Sequence, residues 1–270
     1  MKRVVRWNLS SRARQLSGGD ALVVSIPKSG RTWLRTFVCA YYCEKISRPF
    51  TLAPEKYADV PRIIYTHDLF EQRTKANRWG KLRGKYLIPW RERERLPVIL
   101  LARDPRDAFV SHFVQLTRRT RETPEELKRK SASELLRDPA HGIESMVEVM
   151  NSWLGEWAGR PNFLLLRYED LRRAPEAGFR AFLRSLGETA VDEAAFARAL
   201  EFSDFHAMQK LESRGAFSSK ILRAGDPHDR ESFKVRRGKV GGFAEDLSPA
   251  DQRYAMTTLG KLDPRFGYRE

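Results

Sequence analysis

Cysteine is almost missing from this chain: Cys39 and Cys43 are the only two among 270 residues, too few for a disulfide framework and unlike any usual metal quartet. Four residues apart in a helical pattern, they read as packed free thiols. Long apolar runs are missing too. None approaches the eighteen or so residues that cross a bilayer. Residues 1–14 carry cations but lack the continuous apolar stretch and small-residue cleavage site of a secretory signal. These absences predict a soluble, cytoplasmic protein with no transmembrane segment. No internal repeat is visible. The Gly-x4-Gly-Lys-Ser/Thr sequence is absent as well, which removes the Walker type of nucleotide loop.

What the chain has is positive charge. Fifty Lys and Arg stand against 35 Asp and Glu, a net +15, so the surface attracts anions and speeds their capture. Nucleic acid, an anionic lipid surface, a phosphorylated cofactor and a polyanionic acceptor would all fit, and composition does not choose among them. The length suits one α/β domain with decorations.

Short Val- and Ile-rich runs predict strands at Ala21–Ile26, Arg62–Thr66, Pro97–Ala102 and Phe163–Arg167, with helical spacing from Thr32, at Asp107–Leu116, Gly142–Trp157, Ala177–Leu186 and Glu193–Leu200. This rhythm predicts a single α/β domain, a central parallel β-sheet flanked by helices. The polar stretches Thr117–Lys130 and Glu212–Lys239 read as excursions. In such sheets ligands bind beyond the carboxyl ends of the strands. Lys28–Trp33, His67, Arg103–Ser111 and Tyr168 all fall there, so distant segments are expected to converge on one cleft.

Each segment carries chemistry of its own. Ile26-Pro27-Lys28-Ser29-Gly30-Arg31-Thr32-Trp33 is a turn entering a helix, whose free N–H groups and positive dipole end favour a phosphate. Gly30 permits close backbone approach, Lys28 and Arg31 add charge, Ser29 and Thr32 add hydroxyls, and Trp33 offers a flat ring. Arg103-Asp104-Pro105-Arg106-Asp107-Ala108-Phe109-Val110-Ser111 places a cation at a strand end and a hydroxyl eight residues on, while Asp104-Pro105 is also a good helix start. Tyr168 and Phe205 offer faces on which a purine could stack, with Ser203 nearby. The cluster Arg236, Arg237, Gly238, Lys239 suits a phosphate, or a plain solvated loop.

The turn resembles the 5′-phosphosulfate loop of the cytosolic sulfotransferases, Tyr-Pro-Lys-Ser-Gly-Thr-Thr-Trp, with Ile26 for the tyrosine and Arg31 for the first threonine. The second segment resembles that family's 3′-phosphate motif, Arg-x-Pro-x-Asp-x-x-x-Ser, at Arg103, Pro105, Asp107 and Ser111. His67 stands at the place of the catalytic histidine of a Lys-x-His sequence, with Tyr65 in the lysine's position and Arg31 a candidate substitute for its charge. Tyr168-Glu169-Asp170 is similar to the family's Tyr-Glu-Asp. Ser203 and Phe205 are similar to its Thr-Ser-Phe, and Arg236-Arg237-Gly238 to its Arg-Lys-Gly, with Gly242 and Phe243 where Asp and Trp are usual.

The resemblance implies a phosphate-binding strand-loop-helix core like a P-loop, and a basic segment over 1–20 before a sulfotransferase domain over 21–270. It further implies transfer of a sulfuryl group from 3′-phosphoadenosine 5′-phosphosulfate (PAPS) to an acceptor hydroxyl or amine, releasing PAP, without a metal. His67 would be the base, Lys28 would neutralise the bridging oxygen, and Ser29 would restrain Lys28. The remaining residues named above would bind the co-substrate. A glycan, glycolipid or small phenolic compound would suit as acceptor, in a pocket shaped by residues 50–59, 71–85 and 117–130. A nucleotide-dependent phosphotransferase needing Mg²⁺ and a non-catalytic nucleic-acid-binding protein are the alternatives, although no nucleic-acid partner is expected. Nothing in the sequence specifies an oligomeric state.

Overall fold

The computed structural model describes residues 16, 18–120, 122–214, 233 and 238–268. Four strands, β1 (Ala21–Val24), β2 (Ile63–Thr66), β3 (Val98–Ala102) and β4 (Phe163–Arg167), form one parallel sheet in the order β2-β1-β3-β4. Period-2 geometry explains why the central strands are apolar throughout. Leu22, Val24, Val98 and Leu100 face one core, and Ala21, Val23, Ile99 and Leu101 face the other.

The labelled helices are α1 (Arg31–Lys45), α2 (Asp68–Thr74), α3 (Pro105–Val114), α4 (Ile143–Trp157), α5 (Tyr168–Arg173), α6 (Pro175–Ser185), α7 (Glu193–Phe202), α8 (Phe205–Ser213) and α9 (Pro249–Leu259). Helix α4 buries Trp153 and Trp157 in the first core. In the second, Phe37 of α1 stacks on Phe179 of α6 at 3.8 Å and meets Phe196 of α7 edge-on at 5.5 Å. No described helix is long and apolar enough to cross a membrane.

The four strands fall within the short apolar runs that predicted them. Helix starts differ more. Helix α3 begins at Pro105, because Asp104 caps it by accepting the Arg106 N–H at 2.8 Å. It runs into a wide turn over Gln115–Arg119, and a further turn forms at Glu125–Lys128, so the stretch 117–130 is partly ordered helix. The start of the second expected excursion belongs to α8, where Glu212 is buried. Most of its remainder, with Arg236 and Arg237, lies outside the described residues.

The strand order creates a switch point. The chain leaves β1 toward β2 on one side and returns to β3 on the other, so the loops after β1 and β3 diverge and leave a crevice between them.

Candidate active site

That crevice is bridged by Arg103. Its guanidinium donates to the Lys28 carbonyl at 2.9 Å and to the Lys239 carbonyl at 3.4 Å, and lies 4.5 Å from the Tyr168 ring centroid. One side chain thus ties together the loops after β1 and β3, the start of α5 and the carboxyl-terminal loop. Its Nε is buried with no hydrogen-bond partner, a donor still waiting for an anion. Asp107, one turn along α3, accepts N–H groups of Gly241 and Phe243 at 2.8 and 3.0 Å. The helix that follows β3 therefore also fixes the loop closing over the site. Phe243 packs against the Arg106 guanidinium at 4.3 Å.

The loop after β1 depends on left-handed backbone. Lys28 has φ +70° and Gly30 φ +91°, a region costing a side-chain-bearing residue about 1–2 kcal/mol. A Cβ on Gly30 would meet Tyr168 Cδ2 at 2.6 Å, and one on Gly238, φ +59°, would meet Phe205 Cε2 at 2.3 Å. Both glycines let an aromatic ring approach the backbone more closely than a side chain would allow. Gly30→Ala should lower unfolding stability by about 1–3 kcal/mol and weaken PAP binding; urea titration and calorimetry check the two effects.

Ser29 is fully buried and donates its proton to the Ile26 carbonyl at 3.0 Å. Its hydroxyl shapes the turn from beneath rather than lining the cleft, and only its lone pairs remain to restrain Lys28 as expected.

His67 follows β2 and is half-buried. Its Nδ1 lies 2.6 Å from the Ser25 carbonyl. A carbonyl has no proton, so Nδ1 donates and Nε2 keeps its lone pair. Burial first, and the Arg31 guanidinium second, push its pKa well below the ordinary histidine value. The imidazole is therefore neutral and ready to accept a proton. Tyr65, two residues before, faces away into the second core, with Arg35 at 5.4 Å from its ring centroid.

Lys28, Gly30, Arg31, Thr32, Trp33, His67, Arg103, Ser111, Tyr168, Phe205 and Gly238 all line one cleft of about 1120 Å³. Ser203 lines an adjoining pocket of about 900 Å³ that shares Trp33, Arg172 and Phe205 with the cleft. Sequence reasoning missed Arg172, which reaches both rings, 5.8 Å from Trp33 and 5.3 Å from Phe205. Its place two residues after the Tyr-Glu-Asp segment was the available signal. It also gave Asp107 no role, although the motif contains it.

The other half of the cleft is walled by Glu71, Lys75, Gln115, Arg119, Thr120 and His141, among others. Two of the three expected acceptor loops contribute. Residues 50–59 do not, because Phe50 packs on Phe202 at 4.4 Å instead.

His112 and His141 stack there at 5.7 Å. Burial, and then His141, push His112 down to about 3. The folded state resists a proton that the unfolded chain accepts near pH 6.5, so this group's contribution is present above that pH and is lost as pH falls below it. The His112 contribution should drop by about 1.4 kcal/mol per pH unit below 6, and His112→Gln should flatten the overall slope by that amount; urea titrations of parent and variant from pH 7 to 5 measure it.

A cation bridging a sheet switch point, aromatic rings beside it and a neutral imidazole on the same cleft are groups whose chemistry suits a phosphorylated purine and a proton transfer. The sulfotransferase domain model matches residues 19–261, and the chain belongs to that family, which sets aside the phosphotransferase and nucleic-acid-binding alternatives. The human Sulfotransferase 2B1 is 25% identical over 228 residues, 75% of this chain. The chain spans only about half of that relative, 55%. The Arabidopsis thaliana Cytosolic sulfotransferase 14 is 26% identical, covering 86% of this chain and 71% of that one. The crystal structure of mouse sulfotransferase SULT7A1 complexed with PAP shares the fold, with TM-score 0.58 and 19% identity, over 89% of this chain and 84% of that one.

The domain is that of the sulfotransferases, and the mouse structure of the same fold holds PAP. The described residues offer groups of fitting chemistry for that molecule: the orphan Arg103 Nε for a phosphate, and the Trp33 and Phe205 rings for a purine.

Proposed function

We propose that the chain, as one catalytic unit from residue 21 onward, transfers the sulfuryl group in line to a hydroxyl of a hydrophilic acceptor, with His67 as base. One observation carries the assignment of the base: the Nδ1 hydrogen bond to Ser25 leaves Nε2 as the free acceptor on the cleft wall. The acceptor oxygen attacks sulfur, its proton passes to Nε2, the bond from sulfur to the bridging oxygen breaks, and PAP leaves with the electron pair. Lys28 and the turn's N–H groups oppose the charge that grows on the bridging oxygen. Arg31, half-buried near His67 and Glu71, supplies the cation that Tyr65 cannot.

Arg103, Ser111, Arg236, Arg237 and Gly238 would hold the ribose phosphate, and Tyr168, Trp33, Ser203 and Phe205 the purine. The cations and hydroxyls on the acceptor half of the cleft favour a glycan or glycolipid hydroxyl, with Phe70, Leu116 and Leu127 beside them to pack on its carbon skeleton. Arg119 Nε, His112 Nδ1 and Thr123 Oγ1 are buried there without hydrogen-bond partners, polar atoms that hydroxyls, which both donate and accept, can satisfy. The buried free thiols Cys39 and Cys43, the former pushed up to about 12 by burial, fit a reducing compartment such as the cytoplasm.

Radiolabelled PAPS offered with glycans, glycolipids and phenols tests the acceptor. Label should pass to the sugar-bearing compounds, and transfer confined to phenols overturns that part.

A further inference from the structure

Three large apolar side chains stand in solvent within one short stretch: Trp79 is 67% exposed, Leu82 78% and Trp90 68%. Trp79 and Leu82 lie on the helical turn Arg78–Leu82, and Trp90 opens the helix Trp90–Arg95. The stretch is fastened down. Buried Gln72 donates to the carbonyls of Gly80 and Lys81 at 2.9 and 3.1 Å and accepts the Tyr86 N–H at 2.9 Å. Buried Asp68 accepts the Ile88 N–H at 2.8 Å, and Arg93 donates to the Ile88 carbonyl at 2.7 Å. The backbone is held to α2 and the core, so these rings stay outside because the fold keeps them there.

Charge is sorted across the same stretch. On one side Arg93 pairs with Glu156, Arg95 with Glu92 at 2.8 Å, and Glu94 with Arg160 at 2.8 Å. By contrast, Arg78, Lys81, Arg83, Lys85 and Arg91 form no ion pair with a described carboxylate. Arg83 lies 5.4 Å from the Trp79 ring and Arg91 5.7 Å from the Trp90 ring. Exposed indoles and an aliphatic tip flanked by unpaired cations form a surface that neither water nor a neutral apolar partner satisfies.

We propose that this face docks on an anionic lipid surface, with Trp79, Leu82 and Trp90 entering the headgroup region and the five cations meeting lipid phosphates. Indoles partition to that depth, and each Lys or Arg gains from the negative surface potential. A nucleic-acid strand fits less well: Leu82 offers no stacking face, and an arginine already stands against each indole. A two-fold dimer would set these like charges against themselves. The inference stands apart from the acceptor reading but bears on it. Helix α2 fastens this face through Asp68 and Gln72 and lines the cleft through Phe70, Glu71 and Thr74, so a docked molecule holds the acceptor side of its cleft one helix from the lipid.

Sedimentation of the full chain with phosphatidylcholine vesicles, with and without phosphatidylglycerol, tests the proposal. Binding should require phosphatidylglycerol, fall about tenfold in the double variant Trp79→Ala/Trp90→Ala, and fall about fivefold for each of Lys81→Gln, Arg83→Gln and Lys85→Gln. Lipids brominated in the acyl chains should quench tryptophan emission in the parent and not in the double variant. PAP affinity should be unchanged in every variant, which certifies folding. Equal partition of parent and variants overturns the proposal. So does preference for a single-stranded oligonucleotide over the vesicles, or a dimer that the double variant dissolves.

Discussion

Replacing His67 with alanine lowers sulfuryl turnover by about 10²–10⁴-fold, the usual worth of a positioned base, and leaves PAP affinity near the parent value. The imidazole touches the phosphate loop only through Nδ1 and the Ser25 carbonyl, so its removal takes away the proton acceptor without disturbing the anion cradle. The pH profile adds a second readout. Because burial and Arg31 hold His67 well below its ordinary pKa, Nε2 stays unprotonated as pH falls through 6.5, where an unperturbed imidazole would be half charged. Turnover of the parent should hold through that range. In Arg31→Thr the neighbouring charge is gone, the imidazole binds a proton more readily, and the acidic limb should move to higher pH. An His67→Ala enzyme with near-parent turnover would remove the base assignment.

Arg103→Ala should weaken PAP binding by about a hundredfold or more and abolish its advantage over adenosine 5′-phosphate. The side chain is one of the most densely engaged in the site, reaching two carbonyls, Asp107 at 3.9 Å and the Tyr168 ring. Truncating a buried, hydrogen-bonded charge costs a complex about 2–5 kcal/mol, because its partners are left behind unpaired. Arg103→Lys keeps the charge but loses the planar fork and should fall between the two. Titration calorimetry with both nucleotides decides the matter. A variant that still prefers PAP as strongly as the parent would show that the ribose phosphate is gripped elsewhere.

Much of this architecture was legible before the coordinates. The strands announced themselves because those central to a parallel sheet are buried on both faces, which leaves uninterrupted runs such as Val98-Ile99-Leu100-Leu101-Ala102. The convergence of Lys28, His67, Arg103 and Tyr168 followed from topology, since each ends or follows a strand at the same edge. Helix α2 was not legible. Seven residues long and starting at a buried Asp68 with φ +34°, it owes its existence to tertiary hydrogen bonds from Ile88 and Trp153 rather than to periodicity. Ser29 illustrates a second limit: the motif fixes the residue type, but not that its hydroxyl turns inward to Ile26. Arg172 shows a third: its nearness to the Tyr-Glu-Asp segment marked it for the site, but nothing local on a short helix told which two rings from other elements it would reach.

The tail end of the described chain takes part in this chemistry from a distance. Tyr268 donates its hydroxyl to one Glu169 oxygen at 2.8 Å, and the other accepts the Asp104 N–H at 2.9 Å, next door to Arg103. Cutting the chain ahead of Tyr268 would therefore sever a guy-rope of the nucleotide pocket, far along the sequence from the residues it steadies.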